Sequence, residues 1–299
     1  MNRNSALFLV GLAGVCWASS GVSVQNFFLH SDKSPAELTN IRMCAAGFIM
    51  LLILALRGKI LLPIKILNRR PRLWFDVFIY GIIGVVMVQF TYFQAISIGG
   101  AAATTVILSA TPAMVVIWSS LYNRKIPERK DIIAVIFAIV GVFLMVTGGN
   151  PQRLLVPLSC VLWSLASGAV FAFSAIFPKH IFAKKISPAF VTSAGMFSGG
   201  LLTFLFIDDY NLLPFFYPET FFNVTWIIIF GTVIAFFAFN AGLKFVTSEE
   251  ASIMTMTEPV SSVLLSFLIF GATFGKVEMF GIFLVLAAII SPVVLKNFK

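Results

Sequence analysis

Two side chains of opposite charge fall where long apolar runs should exclude them. Glu258 lies inside the apolar stretch 250–270, and Arg42 lies inside the stretch 35–56. If these stretches cross a bilayer as helices, Glu258 sits ~13 Å deep at ~1.5 Å per residue, near the midplane of a hydrocarbon core ~30 Å thick. A charge at that depth costs on the order of 2.5–3.5 kcal/mol, so it should face the bundle interior or a cavity. Glu258 also belongs to a polar stripe at helical spacing: Ser252, Thr255, Glu258, Ser262 and Ser266. Two readings of it stand. It binds a substrate amine or exchanges a coupling proton, or it is structural glue that hydrogen-bonds a neighbouring helix. Pro259 leaves a backbone carbonyl unpaired one turn back, which suits a kink beside a cavity. Arg42 in turn neutralises a substrate carboxylate, snorkels outward, or pairs with Glu37 or Glu258.

The remaining candidates are uncharged. Trp17 and Trp163 lie well inside their runs, away from the interface belts, and read either as walls of a substrate cavity or as ordinary helix packing. Gln89, Tyr92 and Asn240 fall at mid-depth and either line a cavity or bridge helices. Phosphorylated substrates would call for several buried Lys or Arg, and Arg42 alone qualifies. An amino acid, an amine or a small neutral or aromatic metabolite fits better. Catalysis is not expected, because it needs clustered His, Asp, Glu or Cys. His30 and His180 fall between the apolar runs, and Cys16, Cys44 and Cys160 read as buried reduced thiols without metal-ligand spacing. Neither a metal nor a cofactor is expected.

Positioning these residues requires a membrane. Of 299 residues, 59% are hydrophobic and 11% charged, against roughly 25% charged in soluble domains. A net charge of +9 does not point to nucleic acid, because the basic residues are scattered through short loops. With ~20 apolar residues needed per crossing, ten spans are predicted: 5–29, 35–56, 73–97, 101–122, 131–148, 154–177, 188–207, 222–245, 250–270 and 277–295. The first run is too long for a signal-peptide core and reads as a retained span. With the N-terminus inside, Lys33, Arg153 and Lys276 fall outside and Arg42 within a span, while every other Lys and Arg falls on the inner side. That asymmetry puts both termini in the cytoplasm.

The chain also repeats itself. Ser34-Pro35-Ala36, Thr39 and Met43 recur in register as Ser187-Pro188-Ala189, Thr192 and Met196. Further on, Gly84 matches Gly231, Phe90 matches Phe237, Pro112 matches Pro259 and Ser119 matches Ser266. Five helices per half is an odd number, so the second copy must lie upside down. The expected fold is an all-α integral membrane protein of ten transmembrane helices in two inverted five-helix repeats, 1–149 and 150–299. Inverted repeats around a midplane site are a transporter architecture. Gly195 and Gly199 in the seventh span allow close helix packing, read by default as within the monomer rather than at a homodimer interface.

Trp17, Asn40-Ile41-Arg42, the Ala/Thr-rich stretch from Tyr92 to Pro112, Glu258-Pro259-Val260 and the Gly271 turn together resemble the EamA-type family of the drug/metabolite transporter superfamily. Arg124 and Ala272 stand where that family often shows an acidic residue. The resemblance implies a metabolite or amino-acid permease, frequently an exporter. The expected function is a secondary transporter of small metabolites such as amino acids or amines across the cytoplasmic membrane, with a proton as candidate coupling ion and the lipid bilayer as its surroundings. The competing classes are a membrane-embedded enzyme and a sensor without transport. For the topology, single cysteines placed at Asn68 and Asn211 should react with impermeant thiol reagents from opposite faces, Asn68 from the cytoplasm. Labelling of both from outside would overturn the orientation.

Overall fold

Long apolar runs can satisfy their backbone inside a bilayer only by coiling into helices, and every regular element among the described residues is helical. The computed structural model describes residues 2–111, 114, 129–207, 211–242, 245, 246, 254, 255 and 257–296. Its main elements are α1 (Arg3–Leu29), α2 (Pro35–Leu56), α3 (Leu61–Asn68), α4 (Arg72–Gly99), α5 (Ala101–Leu108), α6 (Arg129–Thr147), α7 (Leu158–Ile176), α8 (Pro188–Phe206), α9 (Pro218–Gly242), α10 (Thr257–Phe270) and α11 (Lys276–Lys296). Among the described residues α1, α2, α4, α8 and α9 are long and apolar enough to cross a membrane, with shorter apolar helices over Ile132–Thr147, Leu158–Ser174 and Thr257–Phe270. Helix is found in part of each expected span, while most of 109–122 and of 250–256 lies outside the described residues.

Local chemistry sets the helix ends. Ser34 and Glu37 form a reciprocal capping box ahead of Pro35, with Glu37 N donating to Ser34 Oγ at 3.3 Å and Ser34 N to Glu37 Oε2 at 2.9 Å. Proline at the first position loses no helical bond. The matching start of α8, Ser187-Pro188, makes no such cap, because its third helical position is Phe190. Gly100 takes φ +79°, which turns the chain from α4 straight into α5. The segment 57–72, expected as a loop, contains α3. Leu61 and Leu62 are exposed while Pro63 and Leu67 are buried, an amphipathic pattern too short to register as a span.

Glycine governs how closely the helices approach. A Cβ at Gly141 would lie 2.7 Å from Gly281 O, and one at Gly281 would lie 2.6 Å from Gly141 O, so α6 and α11 touch backbone to backbone. Gly81 of α4 packs in the same way against Gly195 of α8, and Gly199 against Gly81. The Gly195/Gly199 pair therefore serves packing within the chain. α2 and α8 meet through Gly47 against Phe197 and Gly200 against Cys44, with Asn40 Nδ2 donating to Gly200 O at 2.9 Å. Apolar clusters fill the gaps, one between α2, α4 and α8 around Met43, Val77 and Met196, another between α1, α4 and α9 around Phe27, Phe93 and Ile227. Phe8, Ile139, Leu264 and Phe283 project outward, as lipid-facing side chains do. Cys16 and Cys160 are buried, Cys44 half-buried, and all three are free thiols.

Two segments depart from α-geometry. α4 is a π-helix over Tyr80–Val86, and α9 is one over Ile229–Ile234. Each contains one member of the matched pair Gly84 and Gly231.

Overpacking a tight contact costs about 1–3 kcal/mol. Gly281→Val should lower the thermal midpoint of the detergent-solubilised protein. Gly275→Ala, where a Cβ meets nothing nearer than 3.4 Å, should leave it unchanged. Equal midpoints for the two variants would overturn the backbone contact between α6 and α11.

Candidate functional site

Arg42 is the most constrained polar group described. It is 3% exposed and its guanidinium reaches from α2 to two other helices. Nε donates to Thr232 Oγ1 at 2.8 Å and Nη2 to Gly231 O at 3.2 Å, both on the π segment of α9. Nη1 donates to Gln89 Oε1 of α4 at 2.6 Å, and the cation lies 5.2 Å from the centre of the Phe93 ring. Gln89 and Phe93, four residues apart, share one face of α4. Thr232 is held in turn by its own bond to Ile227 O at 3.0 Å. Irregular helix geometry exposes carbonyls that a regular helix would use internally, and Gly231 O serves Arg42 in this way.

The pairing with Glu37 left open by the sequence does not form, because Glu37 bonds Lys33 at 2.6 Å. Nor does Arg42 snorkel outward. It interacts electrostatically with Tyr92 and Glu258, yet no ion pair within 4 Å joins it to Glu258. Glu258 is half-buried and its carboxylate accepts no hydrogen bond from a described residue.

Helix α1 touches both sides of this cluster. A Cβ at Gly14 would lie 3.1 Å from Glu258 N, while Gly231, which bonds Arg42, packs against Ser20. Gly14 and Ser20 are separated by roughly 9 Å at ~1.5 Å per residue, so the backbones of Glu258 and Gly231 meet α1 at different levels. One residue beyond Ser20, Gly21 leaves room for the Tyr92 hydroxyl, which shares a hydrogen bond of 3.2 Å with Thr105 Oγ1. Ser262 Oγ donates to the same Thr105 oxygen at 3.3 Å.

The other candidates make no hydrogen bond to this cluster among the described residues. Trp17 packs against Phe236 and Phe239 of α9, with centroids at 5.8 and 5.3 Å. Trp163 packs edge-on against Phe90 of α4 at 5.8 Å. Asn240 lies in the last described turn of α9, and its amide donates to Phe236 O at 2.8 Å. The structure thus joins Arg42 and Gln89 directly, couples Tyr92 and Glu258 to Arg42 electrostatically, and gives Trp17, Trp163 and Asn240 local packing contacts. Sequence reasoning missed Thr232, Thr105 and Phe93. Thr232 had a signal in its position beside Gly231 of the repeat, and Thr105 had only its place in an Ala/Thr-rich run.

A bundle of apolar helices around a buried charged cluster suits a transporter, and the comparisons agree. The profile of the EamA-like transporter family matches residues 4–147 and 158–292. The chain belongs to the EamA-like transporter family. Among its relatives, the uncharacterized inner membrane transporter YicL of Salmonella typhimurium is 32% identical to this EamA protein over 289 residues, 93% of this chain and 92% of its own. The uncharacterized inner membrane transporter YedA of Escherichia coli strain K12 is 24% identical over 267 residues, 86% of this chain and 80% of its own. The crystal structure of a protein 16% identical superposes over 100% of both chains with a TM-score of 0.67, a likeness of fold alone. This EamA protein is a multi-pass membrane transporter.

Removing one partner from a buried polar network costs about 1–3 kcal/mol per orphaned group. Arg42→Met and Gln89→Leu should each lower the unfolding midpoint, and the double variant should lose less than the two together, with a coupling of about 0.5–3 kcal/mol. Strict additivity would mean that the two side chains do not act as a pair.

Proposed function

We propose that the chain is a secondary transporter, an exporter of amino acids or small amines across the cytoplasmic membrane, working by alternating access. In this reading ten spans form two inverted five-helix repeats, 1–149 and 150–299, with both termini cytoplasmic. The substrate lies between the halves among Arg42, Gln89, Tyr92 and Glu258, within the wider frame set by Trp17, Trp163 and Asn240.

The observation that carries the reading is a carboxylate and a guanidinium close enough to interact yet not joined. An α-amino-acid head group, held at each end by a charge-assisted hydrogen bond of ~2.8 Å, would bridge the two. The substrate ammonium goes to Glu258 and its carboxylate to Arg42. Arg42 keeps donors for this role, since a guanidinium offers five N–H groups and three are engaged. The structural-glue reading of Glu258 loses support because its carboxylate has no hydrogen-bond partner among the described residues. The inverted repeat is supported by counterpart features in both parts of the chain, the two π segments and the tryptophan–phenylalanine contacts of Trp17 and Trp163. Export follows what the family resemblance implies.

The test is efflux from proteoliposomes loaded with a panel of amino acids, amines and their N-acetylated counterparts, with and without a pH gradient. Wild type should move one or more compounds bearing a free amino group and not their acetylated forms. Glu258→Gln should keep its elution profile and thermal midpoint but lose flux about tenfold or more, the loss expected for one charge-assisted contact of ~1.5–3 kcal/mol. Undiminished flux and unchanged gradient dependence in the Gln variant would overturn the assignment.

A further inference from the structure

The polar stripe of α10 leads somewhere that the central cluster does not explain. Ser262 and Ser266 follow Glu258 at intervals of four residues, so all three share a face. Ser262 joins the Thr105–Tyr92 pair. Ser266 is 2% exposed, and its hydroxyl is the one buried side-chain oxygen among the described residues without a hydrogen-bond partner. A buried hydroxyl left in that state costs about 1–3 kcal/mol, and Ser266 is one of the residues that line a cavity of about 210 Å³. Glu278, in the first turn of α11, lines the same cavity, as do Gln25, Gly100 and Thr273. Glu278 makes no ion pair within 4 Å with a described residue. Gln25 presents its oxygen to the Ala101 amide at 2.7 Å. The cavity lies where the α4–α5 and α10–α11 turns meet, on the external side in the proposed topology.

We infer that this cavity is an outer binding site for a primary ammonium group, held by the Glu278 carboxylate and the Ser266 hydroxyl, through which an amine leaving Glu258 passes to the outside. The assignment rests on the transporter reading for its direction, but not for its existence. Two carboxylates stand at either end of a line of hydroxyls. Glu258 and Ser266 are ~12 Å apart along α10 at ~1.5 Å per residue. A volume of about 210 Å³ leaves room for a small ammonium head group, since a single water needs only ~10–15 Å³ on this measure.

The test needs no transported substrate. In a chain with Cys16, Cys44 and Cys160 replaced by alanine, Ser266→Cys or, separately, Thr273→Cys is exposed from outside to a cationic and an anionic methanethiosulfonate reagent. Rates are normalised to those with a free small thiol. The second position guards against a poorly folded Ser266 variant, because Thr273 is exposed at the cavity rim. The cationic reagent should react about tenfold faster, the lower end of focusing by a charged cleft. Glu278→Gln should abolish the preference, and millimolar methylammonium should slow the reaction only when Glu278 is present. A preference that survives Glu278→Gln, or no preference at either position, overturns the site. Failure of Glu258→Gln to alter flux would overturn the central site while leaving this charge preference intact, so the two proposals fail separately.

Discussion

A guanidinium buried among apolar helices has to be satisfied where it stands, and much of this bundle is arranged around Arg42. Its three hydrogen bonds reach α4 and α9 from α2, so three helices are fixed in register by one planar fork. Lysine, with a point charge on a flexible stem, would not hold Thr232, Gly231 O and Gln89 at once. The partners are neutral, so the positive charge is solvated without being cancelled. In the proposed reading, that uncancelled charge and the unbonded Glu258 are what an ionic substrate would meet.

The architecture that allows this depends on residues with nothing to contribute but their absence of bulk. Gly14 and Gly21 let α1 lie against Glu258 and Tyr92, and Gly231 lets Ser20 approach α9. Between helices in lipid no hydrophobic force distinguishes a helix surface from the acyl chains around it, so close van der Waals fit and hydrogen bonds decide association. The backbone contacts of Gly141 with Gly281 and of Gly81 with Gly195 supply the fit. Asn40 and Thr257, which donates to Gly11 O at 2.9 Å, supply the hydrogen bonds.

Much of the fold was legible in the sequence because the signals are local and strong. Run length predicts helices such as 35–56 and 188–207 within a residue or two, since Ser-Pro at each start and the end of apolarity mark the bounds. The missed helix α3 is amphipathic and short, so a criterion built on spans passed over it. The central site was partly legible: Arg42 and Glu258 stand out by the cost of burying charge. Their geometry was not legible, because whether two charges pair depends on packing between helices. Thr232 and Phe93 were invisible for the same reason. Trp17 and Trp163 stood out by type, and the structure gives each of them phenylalanine neighbours. The Ser266 hydroxyl was visible as one tooth of a stripe, and only the structure shows it to be unbonded.

The π segments of α4 and α9 have a mechanical consequence. Each holds one more residue in its turn than a regular helix would, and that surplus can move along the helix by passing hydrogen bonds from one carbonyl to the next without loosening either end. Each step would rotate the side chains it crosses by about 100° around the axis. In α9 the surplus sits at Gly231 and Thr232, two of the three residues that hold Arg42. Sliding it by one turn would swing both acceptors away and leave the guanidinium to Gln89 alone. A helix with a travelling defect of this kind behaves as a screw thread inside the bundle, converting a small axial displacement into a change of which side chains face the interior.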